Sequence, residues 1–486
     1  MNRRYGLPLL VLLGGCQAVG PDYAGPPATP ADGAVAFPSA AVPADAPPMP
    51  PGEPPAAWWK LLEDPELDAL VAAAQDANFD LRIAAANVAA AEAVLAQVDT
   101  RRRPTANVGA STQMRRDPIA QFPRGDPDNP LPALPFTTLG FDLNWELDLF
   151  GRIRRSIEAA AADLGSLEAV RHDVLTSVLA GVARAYLDLR GNQARIEVAE
   201  RNVAVQQQTL DLVVLLNREG AATDLDVARA RTQLLASQAT IPRLQAALTA
   251  ALNRLTTLTA QTPGALTVRL APRRPLPSMP AFVAVGAPGD LVRRRPDIRA
   301  AERALAGATA RIGVATADLF PTVTLLGRAG LGASHLSDLA SRGAPFFALG
   351  PSITWNLFDR EAIYARIRAA DSNAEAALVR YQAVVTGALE EVDSALSAYR
   401  QERQRRLQLN DALTASREAS SLARLRYQEG IEDFLTVLDA ERNLLQIEDQ
   451  LAQSQIALAQ ALVDIHLALG GGWDAAGSGT GKLGSE

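Results

Sequence analysis

The residues able to carry covalent or metal chemistry are few in this sequence and poorly spaced for it. The three histidines, His172, His335 and His466, lie far apart with no HExxH motif, so no pair of imidazoles is set on one helical face to hold zinc. They read as ordinary polar positions on helices or loops. The single cysteine, Cys16, has no partner for an intramolecular disulfide or a cysteine zinc site. Neither a GxSxG nucleophile elbow nor a phosphate-cradling GxxxxGK[ST] loop occurs, and the adjacent carboxylates Glu390 and Glu391 fall in a long helical pattern as solvated charges. The sequence therefore predicts no enzyme, no catalytic residue, no metal and no cofactor. Lys and Arg number 47 against 54 Asp and Glu, a formal net charge of −7, and without a basic excess a nucleic-acid partner is disfavoured.

Cys16 has a different chemistry in view. Arg3 and Arg4 precede an apolar run, Leu7 to Leu13, and then small residues, which reads as a secretory signal over residues 1–15, too short to span a membrane. Leu13-Gly14-Gly15-Cys16 resembles a bacterial lipobox, with Gly14 a less usual member. That resemblance implies cleavage before Cys16 and its acylation with diacylglycerol and palmitate. Gln17, where an Asp would mark inner-membrane retention, implies sorting to the outer membrane. An acylated thiol also accounts for the only cysteine, since a free one is a liability in an oxidising compartment. Residues 16–55 continue from this anchor as a Pro- and Ala-dense strap, favouring extended, semi-rigid backbone.

The elements that follow change period in an ordered way. A helical pattern through Leu67, Leu70, Val71, Phe79, Leu81, Val88 and Leu95 ends near Pro104. Alternation then takes over: Leu139, Phe141, Leu143, Trp145 and Leu147 interleave with Gly140, Asp142, Asn144, Glu146 and Asp148, giving a strand with one apolar and one polar face. Thr105 to Met114 alternates more weakly, and a Pro-, Gly- and Asp-rich loop joins the two. In the second half Thr322 to Ala333 and Phe346 to Phe358 repeat the arrangement, with Phe347, Leu349, Ile353, Trp355 and Leu357 on the apolar face. Each strand is about ten residues long, enough for a tilted membrane-spanning strand. A soluble sheet lying on a helix is the alternative. Against it stand the lipoprotein signal, the expectation that no helix of about twenty apolar residues is present, and the lack of a second sheet to cover the apolar faces. Four strands cannot close a barrel in lipid, so the chain must oligomerise.

Proline-free helical stretches run from Ile153 to Arg218 and from Ile363 to Glu429, each on the order of 100 Å at about 1.5 Å per residue. Gly220 and Gly430 end them in matching contexts, and heptad spacing resumes after each: Val227, Leu234, Ile241, Leu248 and Leu255, then Val437, Leu444, Leu451, Leu458 and Ile465. These are two long coiled-coil hairpins. Pro242 should kink the first returning helix; its counterpart is Ala452. Asp297-Ile298-Arg299 repeats Asp80-Leu81-Arg82, and Pro321-Thr322 repeats Pro104-Thr105, so the duplication covers helix, strands and hairpin alike. It divides the chain into a first repeat at 56–262 with its strand pair in 104–148, a connection at 263–290 with an extended patch Ala265 to Leu270, and a second repeat at 291–469 with its strand pair in 321–358. A Gly- and Ser-rich tail, 470–486, is expected to be disordered.

Together, Gly15-Cys16 with Val19-Gly20-Pro21-Asp22-Tyr23, the stretch WWKLLEDPELDAL from Trp58, Asp290 to Glu302, and YQEGIEDFLTVLDAERNLL from Tyr427 resemble the outer-membrane factors of tripartite efflux pumps, the TolC and OprM group and its NodT-type lipoproteins. The resemblance covers Cys16 to about Leu469. It implies a mainly α protein with a transmembrane β-barrel: a homotrimer whose twelve strands close in the outer membrane, above a periplasmic α-barrel of coiled-coil helices. The barrel's outer face would carry Leu139, Phe141, Leu143, Trp145, Phe347, Leu349, Ile353 and Trp355. An inward twist of the hairpins closes the periplasmic end in this family, and a periplasmic adaptor with an inner-membrane transporter opens it. The gate positions fall on Leu435 and Asp439, with Leu225 and Asp226 in the first repeat; Gly220, Gly430, Tyr427 and Glu432 fall at the tip turns and adaptor-docking positions. Glu432 stands where TolC has an arginine, so TolC's own salt-bridge lock is not implied. A ring of three Asp439 carboxylates would draw cations, and a Leu435 ring would gate by dewetting. The implied function is a passive efflux duct, RND-type by the same resemblance. The alternatives are a duct for type I protein secretion and, from another class, a structural envelope lipoprotein.

Overall fold

The computed structural model describes residues 18–26, 28, 37–40, 55–116, 133–279 and 294–473. Cys16 and most of the strap lie outside them. The chain forms two compact units: the first combines Met1–Pro27, Val88–Leu167 and Ala301–Tyr381, and the second Ala28–Asn87, Glu168–Ala300 and Gln382–Glu486.

The first unit holds the sheet, an antiparallel meander in the order β1 (Thr105–Arg115), β2 (Leu134–Leu147), β3 (Thr322–Ala333), β4 (Pro345–Thr354). The register places like with like. One cross-strand row is Val108, Phe141, Ala329 and Phe347, and the next is Ala106, Leu143, Gly327 and Leu349. Because side chains alternate along each strand, these rows make one apolar face across all four. Phe347 is 86% exposed and Leu349 70%, so none of the described residues covers it. The opposite face carries Ser111 bonded to Thr138 at 2.9 Å and Arg328 Nε donating to Asp142 at 2.7 Å, while Thr112 and Thr137, bonded at 3.0 Å, end the apolar face beyond Ala110 and Leu139. At Gly140 and Gly330 the strands approach so closely that a Cβ on Gly140 would sit 2.6 Å from the Ala329 carbonyl oxygen. The predicted fourth strand is too long. β4 stops at Thr354, and Trp355 lies just past it, its indole N–H donating to Leu319 O at 3.0 Å. Trp145 does the same to Arg102 O at 3.0 Å, so both halves fix a Trp to the chain entering the sheet.

In the second unit the WWKLLEDPELDAL stretch explains itself. Asp64 caps α1 (Pro65–Ala77), accepting from Glu66 N–H at 2.9 Å, with Pro65 at the first helical position where a missing N–H costs nothing. Trp58, Leu67, Leu70, Val71 and Ala74 are buried. The single helix expected from Leu67 to Leu95 is two helices. α1 ends at Asn78, which turns the chain (ψ 133°), caps α2 (Phe79–Asp99) by accepting from Asp80 N–H at 2.9 Å, and donates its side-chain N–H to Leu258 O at 2.8 Å. The expectation of no membrane-length apolar helix also needs correction: Pro65–Arg102 is long and apolar enough by length and composition. That stretch is broken at Asn78, between α1 and α2.

The long helices are α3 (Arg152–Arg218) and α8 (Arg360–Gln428). The first return is not one kinked helix but two, α4 (Asp224–Gln238) and α5 (Thr240–Leu258). Pro242 clashes with the carbonyl four residues earlier, at Gln238, where α4 ends. The second return, α9 (Phe434–Ala468), has Ala452 there and runs unbroken for 35 residues. The patch expected to be extended contains α6 (Thr267–Leu270) instead; Leu270 N–H bonds Leu266 O at 2.9 Å, and both leucines are buried. An i, i+4 pair facing one core outweighs the local alternation. α7 (Pro296–Ala317) completes the helices named here. The tail is ordered at its start: Trp473 is 7% exposed, stacked on His172 at 4.5 Å with Arg299 over its ring. Residues 474–486 lie outside the described residues.

Candidate functional site

Both hairpins turn by the same device. Gly220 (φ +76°) and Gly430 (φ +72°) sit where the chain must go left-handed after a helix, which glycine does without penalty. Ala221 N–H reaches back to Leu216 O at 2.8 Å, and Ile431 N–H to Arg426 O at 2.9 Å. The return helices are then capped by one residue pair in opposite order. Thr223 caps α4 with Asp226 completing a capping box, whereas Asp433 caps α9, accepting from Thr436 N–H and Oγ at 3.0 Å each. Those bonds hold the Asp433 carboxyl below its usual range.

The two tips meet around a groove of about 330 Å³ whose lining includes Asp226, Arg229, Tyr427, Gly430, Glu432 and Leu435. Five of the eight predicted gate and tip residues thus converge. Beneath them, Val213, Ala230, Ala423, Phe434, Val437 and Leu438 form a small core. Tyr427 belongs to that core, its ring 5.6 Å from Phe434 and its hydroxyl buried without a partner; burial, then the negative charge of Asp226, pushes its phenol up. Glu432 is paired with Arg426 at 3.1 Å. Leu435 and Leu225 are exposed at equivalent positions of the two repeats. The aspartates are not equivalent. Asp226 is half-buried and bound to Thr223, and its counterpart is Thr436. Asp439 is exposed one turn after Leu435 with no ion-pair partner among the described residues, and its counterpart is Arg229. Leu435 and Asp439 therefore make the free Leu/Asp pair, and Asp226 serves first as a helix cap.

Several important residues gave no legible role in sequence. Glu441, 4% exposed on α9, accepts through one oxygen from Arg424 Nε of α8 at 2.8 Å and from Thr209 Oγ of α3 at 3.1 Å, tying the two hairpins together. Arg295, in the Asp290–Glu302 motif, is buried; it pairs with Asp297 and Glu391 and donates to Ala468 O at 2.9 Å, closing the end of α9. Arg155 explains the Val19–Tyr23 motif: it donates to Val19 O at 3.1 Å and to Asp22 at 2.6 Å, while Gly20 packs on Gly313 of α7 without room for a Cβ. Among the described residues no group of three or more His, Cys, Asp and Glu side chains is placed to hold a metal.

A meander with one uncovered apolar face, joined in each half of a duplicated chain to a long helical hairpin, defines the TolC-like class of outer-membrane channels. The profile of the family described as outer membrane efflux protein matches residues 70–261 and 287–471, and the chain belongs to that family. It is 32% identical to the pyoverdine export outer membrane protein OpmQ of Pseudomonas putida, over 86% of this chain and 88% of that protein. It is 30% identical to nodulation protein T of Rhizobium leguminosarum bv. viciae, over 86% and 85% of the two chains. Among solved structures, the outer-membrane channel OprN superimposes with a TM-score of 0.86 at 40% identity, covering 94% of this chain and 99% of that one.

Proposed function

We propose that this outer-membrane efflux channel is the exit duct of a tripartite, RND-type pump for drugs or other toxic compounds. In this reading three copies close a twelve-strand barrel, lipid on Cys16 adds an anchor, and a periplasmic adaptor and an inner-membrane transporter engage the hairpin tips. The observation that carries it is the sheet. Among the described residues its apolar face is continuous across four strands and uncovered, and β1 and β4 each pair on one side only. Lipid covers such a face, and closure through neighbouring copies satisfies such edges. The convergence of both tips on one groove supports a gate there, with Leu435 and Asp439 narrowing the pore. Cargo choice rests with the transporter and adaptor.

Purified protein in planar bilayers tests the proposal. The wild type is expected to give small or rarely open channels, and Asp439→Ala larger, less cation-selective ones, read from the reversal potential in a salt gradient. Absence of channels from both proteins would defeat the duct, and unchanged conductance and selectivity in Asp439→Ala would remove that residue from the gate. Asp226→Ala is the poorer probe because it also unmakes a helix cap; Asp226→Asn keeps an acceptor for Thr223.

A further inference from the structure

A cavity of about 790 Å³ lies in the second unit, lined by α3, α8, α9 and the segment that follows α6, within the volume range of small-molecule sites. That segment is fastened down. Arg190 donates to Pro272 O at 2.8 Å, Gln193 to Leu270 O at 2.8 Å, and Arg273 makes two bonds to Glu200 at 2.6 and 2.9 Å. Beyond these ties Leu276 and Met279 give the cavity an apolar wall.

Its charge is out of keeping with the chain. Arg201, Arg273, Arg274, Arg403 and Arg406 line it, against the single carboxylate of Glu197, in a protein of net charge −7. Arg201 is matched by Glu197 at 2.6 Å and Arg273 by Glu200. Arg274, Arg403 and Arg406 have no acceptor among the described residues, and Nε of Arg406 is buried without a partner. Like charges held beside an apolar wall repel more strongly than in open water, and guanidinium forks suit carboxylate and phosphate oxygens.

We propose that this cavity binds a multiply charged phosphate or carboxylate anion, held by Arg274, Arg403 and Arg406, with Leu276 and Met279 against its apolar part. The site is separate from the hairpin tips.

Isothermal titration calorimetry on the full-length protein in detergent tests it, with inorganic pyrophosphate, citrate and dihexanoyl phosphatidic acid as probes at constant ionic strength. At least one probe should bind saturably. Arg274→Gln with Arg403→Gln, both at exposed side chains, should raise its Kd roughly tenfold or more, and the corresponding double Lys variant should recover part of that loss. Arg368→Gln, an exposed arginine of α8 outside the cavity, should bind as the wild type does. Binding of pyrophosphate or citrate would assign a soluble anion, and binding of the phosphatidic acid alone a lipid headgroup. Saturable binding by none of the three probes, an unchanged Kd in the double Gln variant, or an equal loss in Arg368→Gln would each overturn the proposal.

Discussion

Glu441 offers the sharpest test of how the two hairpins are held together. Its carboxylate is 4% exposed, and one oxygen accepts from both Arg424 of the second hairpin and Thr209 of the first. Glu441→Ala removes both bonds at once. Deleting one member of a buried ion pair costs about 3–5 kcal/mol when the surviving charge stays dry. Here the survivor does not, since the Arg424 side chain is 38% exposed and water re-solvates it. The expected cost is therefore about 1–2 kcal/mol per chain, a factor of roughly 5–30 in the local opening equilibrium. Glu441→Gln keeps a neutral acceptor and should cost about half as much. The assay is open probability in planar bilayers for the wild type, Glu441→Ala, Thr209→Val and the double variant. If the Thr209–Glu441 bond joins the hairpins in the closed state, both single variants open more often, and the double variant opens less than the two effects combined predict. Strictly additive effects would show that the Thr209–Glu441 bond has no part in closure, and an open probability unchanged in Glu441→Ala would show that this oxygen has none.

Three further outcomes follow from the structure. His466 is stacked on Trp58 at 5.1 Å, and burial lowers its pKa to about 4. An unfolded histidine titrates near 6.5, so below that value the unfolded chain binds the proton and the folded one does not. Stability is therefore full above about pH 6.5 and falls as the pH drops toward 4, by on the order of 3 kcal/mol; His466→Phe should flatten that part of a urea-midpoint-versus-pH curve, and an unaltered slope would refute it. Changing Cys16 to Ser should abolish palmitate labelling of the expressed protein, and persistent labelling would contradict the lipobox assignment. Gly140→Val drives side-chain atoms into the Ala329 carbonyl, whose oxygen lies 2.6 Å from the place a Cβ would take on that glycine; the variant should give no channels in planar bilayers, whereas Gly430→Ala, with open space around its Cβ, should still give them, its urea midpoint lowered by a cost of about 1–2 kcal/mol from the left-handed backbone alone.

Much of the architecture was legible because it rests on local regularities. Alternation at Leu139, Phe141 and Leu143 specifies a strand with one apolar face, heptads from Val437 to Ile465 specify a coiled-coil helix, and glycines at 220 and 430 specify the turns; each depends only on residues a few positions apart. The poverty of catalytic motifs was equally plain. The family resemblance added the places to look for a gate, and the fold brings five of those eight residues to one groove.

Tertiary structure decided what depends on residues far along the chain. Asn78 breaks a well-patterned helix because its side chain caps the next one and reaches Leu258, 180 residues away. The patch Ala265 to Leu270 contains the helix α6 because Leu266 and Leu270 share a core that alternation cannot reveal. Arg155, Arg295 and Glu441 look like surface charges in the sequence, and each is buried because its partners arrive from elsewhere. Asp226 and Asp439, read alike from the sequence, differ because one is spent on a helix cap and the other is free. Periodicity tells which face of an element is apolar; what meets that face, and which charge is left unmatched, is fixed only when distant segments pack.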